Sequence, residues 1–143
     1  MNLPGADLDS APVLPSNNTE TPLTVLVVED EFLVRWAAAE FLRERGFTVI
    51  EATNVSDAIS IFEARTHVDI VFSEVHMPGE LTGHALAEWL DQNHPTVPLL
   101  LTSDSATEAD QLSTSPTRRF IAKPYELGEV GAQIESLRPV GDY

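Results

Sequence analysis

The stretch Asp69-Ile70-Val71-Phe72-Ser73-Glu74-Val75-His76-Met77-Pro78-Gly79 decides how this chain is read: an apolar run leads to one carboxylate and is then broken by Met-Pro-Gly. Apolar residues at consecutive positions fit a strand buried on both faces rather than one with a wet side. Such a strand, over residues 68–73, carries Glu74 out of the core to a surface. The question for the rest of the chain is what meets Glu74 there.

Working outward, Val25-Leu26-Val27-Val28 and residues 97–101 are two more unbroken apolar strands, ending at Glu29-Asp30-Glu31 and at Thr102-Ser103-Asp104. Residues 47–50 and 119–122 complete a set of five, the last broken by Lys123-Pro124. Helical spacing alternates with them. Val34, Ala37, Ala38, Phe41 and Leu42 place a helix over 32–45, with Gly46 as its stop. Ala58, Ile59 and Phe62 place a second over 56–64, and Leu86, Trp89 and Leu90 a third that starts at a Thr82 cap and runs to 93. Leu127, Val130, Ile134 and Leu137 place the final helix over 126–138. Between 106 and 115 only Ala109 and Leu112 are apolar anchors, so a helix there is expected to be short or mobile.

This alternation predicts one α/β domain over residues 23–138, a flavodoxin-like (βα)5 three-layer sandwich around a parallel five-stranded sheet in the order 2-1-3-4-5. Residues 1–22, rich in Pro, Ser and Asn and without apolar period, are expected to form a flexible arm, and 139–143 a C-terminal tail. The 143 residues, 43% of them apolar, suffice for one core and not for two. No cysteine is present, which removes disulfides, thiolate metal sites and cysteine nucleophiles. With 8 basic against 23 acidic side chains the net charge is −15, which opposes a nucleic-acid partner. No apolar run is long enough for a membrane, and no secretory leader is present, so a cytoplasmic location is expected.

In the predicted topology, the connections after strands one and three part to opposite faces and open a crevice at the carboxyl ends. Glu29 and Asp30, Glu74, Thr102 and Lys123 all arrive at that edge. Three carboxylates in a small crevice repel one another unless a cation intervenes. Lys123 neutralises part of the charge, and magnesium suits the remainder because it needs few carboxylates and keeps several waters. Lysine, hydroxyl and metal together match the demands of phosphoryl transfer. Taken singly, each has a plainer explanation: the acids a helix start favoured by its dipole, Thr102 a cap, Lys123 a surface lysine. Their convergence on one edge is what marks a site.

With these residues in place, the chain from 23 to 137 resembles the receiver domain of bacterial two-component response regulators. The run Val25 to Glu31 is similar to the family's acidic pair, Thr102 to its hydroxyl, Phe120 to its aromatic switch position and Lys123-Pro124 to its Lys-Pro. The resemblance implies a single-domain response regulator in phosphorelay signalling that acts by protein–protein interaction and is not an enzyme. It implies Mg2+ held by Glu29, Asp30, Glu74 and the backbone carbonyl of His76, a cis Lys123-Pro124 peptide, and a switch through Thr102 and Phe120. Its partner would be a histidine kinase or phosphotransfer protein, docking near the first helix.

The departure falls on the central residue. The family's phosphoacceptor is aspartate, and this chain has Glu74. One methylene moves the carboxylate by about 1.5 Å, and a misplacement near 1 Å costs on the order of 100-fold in a reaction that depends on alignment. The same reach brings its oxygens toward Thr102 and Lys123, so Glu74 is expected to pair with Lys123 and imitate phosphorylation in part. Ser73 should point to the opposite side of the strand, and His76 reads as an exposed loop imidazole. His67, His84 and His94 show no metal spacing.

On the first helix, Trp36 is expected to pack along the core margin or under the arm, with an apolar patch shared with Phe32, serving a dimer or kinase contact, as the alternative. With no output domain after Tyr143, action is expected through another protein, through competition for a kinase's phosphoryl group, or as a homodimer. The competing function is a metal-dependent phosphohydrolase on a similar sheet, which needs an Asp-x-Asp nucleophile where Glu29-Asp30-Glu31 stands. A nucleotide or flavin binder would need a glycine-rich loop at the same place.

Overall fold

The apolar runs of the sequence form the strands of the sheet in the computed structural model, which describes residues 21–105 and 117–139. The strands are β1 (Thr24–Val28), β2 (Thr48–Ala52), β3 (Ile70–Glu74), β4 (Leu99–Ser103) and β5 (Arg118–Ala122), and the helices between and after them are α1 (Phe32–Glu44), α2 (Val55–Glu63), α3 (Gly83–Asn93) and α4 (Leu127–Ser136). The sheet order is β2-β1-β3-β4-β5, with every pair parallel. This is the flavodoxin-like order expected. The predicted helix over 106–115 lies outside the described residues, as do most of the arm and of the tail.

Alternation along the strands divides the core in two. Leu26, Val28, Val71, Leu99 and Leu101 pack on one face of the sheet against α2 and α3, through Ala58, Phe62, Leu86 and Leu90. Val25, Val27, Ile70, Phe72 and Leu100 pack on the other against Ala38, Ala39 and Leu42 of α1 and Val130 and Ile134 of α4. Because both faces are covered, the strands read as continuous apolar runs rather than alternating ones.

Local sequence sets the helix starts. The Asn54 side chain accepts the Asp57 N–H at 2.7 Å to begin α2, and Thr82 Oγ1 accepts the Ala85 N–H at 3.2 Å to begin α3. Gly83 lets α3 seat directly on the sheet edge: a Cβ there would lie 2.8 Å from the Glu74 carbonyl oxygen and 2.9 Å from the Val75 Cα. Two arginines tie α1 to the edge strand β2. Arg35 Nε donates to Glu51 at 3.0 Å and its Nη1 to the Glu29 carbonyl at 2.9 Å, while Arg43 Nη2 reaches the other Glu51 oxygen at 3.2 Å.

Three expectations are corrected. The third strand runs one residue further than predicted, because Glu74 pairs with Thr102 in the β3–β4 register. The inner face of α1 is Ala38, Ala39 and Leu42, with Val34, Ala37 and Phe41 only half-buried. Trp36 does not pack along the core margin: it is 50% exposed, beside Phe32 at 60% and Leu33 at 73%. At 3.6 residues per turn, Trp36 lies about 200° around the helix from Ala38, on the side away from the sheet.

Candidate functional site at the carboxyl edge of the sheet

The sheet ladder continues past the strand ends and fixes what arrives at this edge. Glu29 N–H donates to the Ala52 carbonyl at 3.0 Å, Val75 N–H to the Thr102 carbonyl at 2.9 Å and Lys123 N–H to the Ser103 carbonyl at 2.9 Å. Glu29 follows the parity of Val25 and Val27, Glu74 that of Ile70 and Phe72, Thr102 that of Leu100, and Lys123 that of Ile121. All four side chains therefore rise on the α1/α4 side of the sheet. Ser73 has the opposite parity, as predicted, and its hydroxyl donates to the Glu74 carbonyl at 2.9 Å.

Both oxygens of the buried Glu74 carboxylate are engaged. Oε1 forms an ion pair with Lys123 Nζ, and Oε2 accepts the His76 N–H at 3.0 Å. Glu29 is equally buried: its Oε2 accepts the Glu31 N–H at 3.1 Å and its Oε1 lies 3.8 Å from Lys123 Nζ. One ammonium thus serves two buried acids. Burial pushes the Glu29 carboxyl up to about 7, against the pull of the Glu31 N–H and of Lys123. Burial would lower the Lys123 ammonium, but its hydrogen bond to Glu74 and the charges of Glu74 and Glu29 outweigh it and hold the group above the ordinary lysine value.

Thr102 completes the cluster in an unusual state. Its hydroxyl is buried and has no hydrogen-bond partner among the described residues, a condition that costs a polar group about 1–3 kcal/mol. Phe120, the predicted switch position, is half-buried against the α2/α3 core, on the opposite side of the sheet from Thr102. The Lys123-Pro124 peptide is cis, as the resemblance implied. Asp30 is exposed, and His76 lies beyond the strand end with its imidazole on the exposed side.

Sequence reasoning missed Tyr125, whose ring meets Phe72 edge-on at 5.9 Å and whose phenol burial raises above the usual tyrosine value. An aromatic two residues after a strand-ending lysine was the available signal. Arg35 was missed too, since nothing in the spacing shows an arginine holding the carbonyl of Glu29.

Among the described residues no group of three or more acidic or histidine side chains is placed to hold a metal ion. Lys123 stands where a cation would offset Glu29 and Glu74.

A family model for the response regulator receiver domain matches residues 25–135. The chain belongs to that family. It is 35% identical over 117 residues to the sensor kinase CckA of Brucella abortus, a match covering 80% of this chain and 12% of that protein. It is 28% identical over 116 residues to the transcriptional regulator NtrC of Salmonella typhimurium, covering 78% of this chain and 24% of that one. The chain thus spans less than a third of these curated relatives. Among solved structures, the receiver domain of the hybrid histidine kinase CckA matches with a TM-score of 0.67 at 30% identity, covering 80% of this chain and 97% of that one. The response regulator TrrA of Thermotoga maritima, in complex with Mg2+ and BeF, shares the fold with a TM-score of 0.73 at 23% identity, over 80% of this chain and 98% of that one. Receiver domains are signalling modules of two-component systems, and this membership does not favour the phosphohydrolase alternative. No helix among the described residues is long and apolar enough to cross a membrane.

Proposed function

We propose that this receiver signals through protein contact without needing a phosphoryl group, with Glu74, Lys123 and Thr102 as its central residues. The observation that carries this reading is the buried ion pair between Glu74 and Lys123. In the resembling family, that lysine faces an aspartate that accepts phosphate. Here the longer carboxylate already reaches it and holds the edge in one arrangement. The imitation of phosphate is partial, since one carboxylate carries about one charge and a phosphoryl group nearly two.

The partner is a histidine kinase or phosphotransfer protein, and Phe32, Leu33 and Trp36 on the outer side of α1 are the contact proposed for it. A homodimer through the same rings is the alternative, and sedimentation of the full chain separates the two. Magnesium, which the Thermotoga relative carries with BeF, would have to displace Lys123 from the two acids here.

Incubation with a small phosphodonor or a candidate kinase in magnesium, followed by mass spectrometry, tests the reading. The expected result is no adduct, with partner binding unchanged. An adduct that disappears in Glu74→Ala would overturn it.

A further inference from the structure

We infer that Lys123 is the resident cation of this site, and that its ammonium takes the place of the divalent ion rather than accompanying one. The inference concerns the same Glu74–Lys123 pair as the signalling role, but it is a statement about metal binding and is read out separately.

Three features of the edge carry it. First, the carboxylate oxygens that a hard cation would need are turned inward and occupied. Glu74 faces Lys123 with one oxygen and the His76 N–H with the other, and Glu29 faces the Glu31 N–H and Lys123. Second, beneath the two acids the gap between Val27, Glu29, Phe72, Glu74, Thr102 and Tyr125 is closed, with no room for a water-sized body on the inner side of the edge. Magnesium dehydrates reluctantly and keeps several waters, so it does not reach the acids from that side. Third, the remaining acid of the predicted set, Asp30, is exposed and within hydrogen-bond reach of Glu29, and the described acids form no group of three placed to hold an ion. An ammonium differs from magnesium in needing no octahedron: it can bridge two carboxylates from one side while its stem packs along the edge.

The glutamate is the cause. An aspartate at position 74 would end about one methylene short of Lys123, leaving the lysine free to withdraw and the acids free to turn to an ion. The extra reach that spoils phosphoryl acceptance is thus also what lets an internal cation close the site.

Calorimetric titration of the full chain with magnesium chloride tests this. Wild type is expected to give no binding isotherm up to about 10 mM, well above the range of weak carboxylate sites. Lys123→Gln, checked for folding by circular dichroism, is expected to gain at least about tenfold in affinity as a competing charge is removed. Glu74→Asp, which keeps every charge, is expected to gain in the same direction and serves if Lys123→Gln does not fold. Saturable binding to wild type below about 10 mM, or no gain in either folded variant, would overturn the inference. Binding to wild type without phosphorylation would sink this inference and leave the proposed function standing. An adduct on Glu74 would do the reverse.

Discussion

Two of the ion pairs among the described residues are built in opposite senses. Arg118, at the start of β5, buries its cation and leaves the acid wet: its side chain is 5% exposed and the Asp91 side chain 61%. All three nitrogens of that guanidinium are answered, by Asp91 Oδ1 at 3.1 and 2.7 Å and by the carbonyls of Val97 at 2.7 Å and Thr117 at 2.9 Å. At the other end of the strand, Lys123 keeps its cation partly wet and serves two buried acids, beside a threonine hydroxyl with no partner among the described residues. The first pair is well supplied with acceptors and fixes α3 to the sheet. The second is under-supplied with positive charge and with hydrogen bonds, which is the condition of a site rather than of a staple.

The comparison breaks most sharply at the lysine. Lys123→Met should cost about 3–4 kcal/mol at pH 8, because it leaves two buried carboxylates without their counter-ion, and urea unfolding at pH 8 and pH 5 should show the cost shrinking in acid as they take up protons. Arg118→Met should cost less, about 2 kcal/mol, since Asp91 falls back on water and only two carbonyls lose a donor. Its cost should not change over the same pH range.

A third measurement sharpens the contrast through Glu29. Its folded value of about 7 lies above the ordinary 4.5, so between those values the folded chain holds a proton that the unfolded chain has released. Stability from this group is therefore greatest below about pH 4.5, falls as pH rises to about 7, and then levels. Relative to Glu29→Gln, the wild type should gain about 2 kcal/mol between pH 8 and pH 5. The smallest effect is expected at the orphan hydroxyl: Thr102→Val should stabilise by about 1 kcal/mol in thermal unfolding. The same change should weaken partner binding if the hydroxyl takes part in the switch.

Much of this fold was legible because burial on both faces writes itself as uninterrupted runs. Val25 to Val28 and Leu99 to Leu101 cannot be mistaken for a half-wet strand, and their polar endings name the edge where Glu29 and Thr102 emerge. Parity then follows without further information, and it puts Lys123 on the side of Glu74. What the sequence hides is choice among partners. The Glu74 to Lys123 pair follows from the extra methylene, but nothing in the spacing shows Glu29 leaning on the same ammonium. The Arg118 to Asp91 pair spans 27 positions and carries no local signature. Trp36 lies away from the core margin because of its angle on α1, where Ala38 and Ala39 show which way the helix faces, and the arm expected to cover it lies mostly outside the described residues.

Gly83 has a consequence for engineering this edge. It touches the backbone beneath Glu74 so closely that even a methyl group would meet main-chain atoms, and main chain cannot swing aside as a side chain can. A saturation scan should therefore find this position, which offers no side chain to lose, among the least tolerant in the domain. Redesign of the neighbouring loop around Met77 and Pro78 must take the depth of α3 as given.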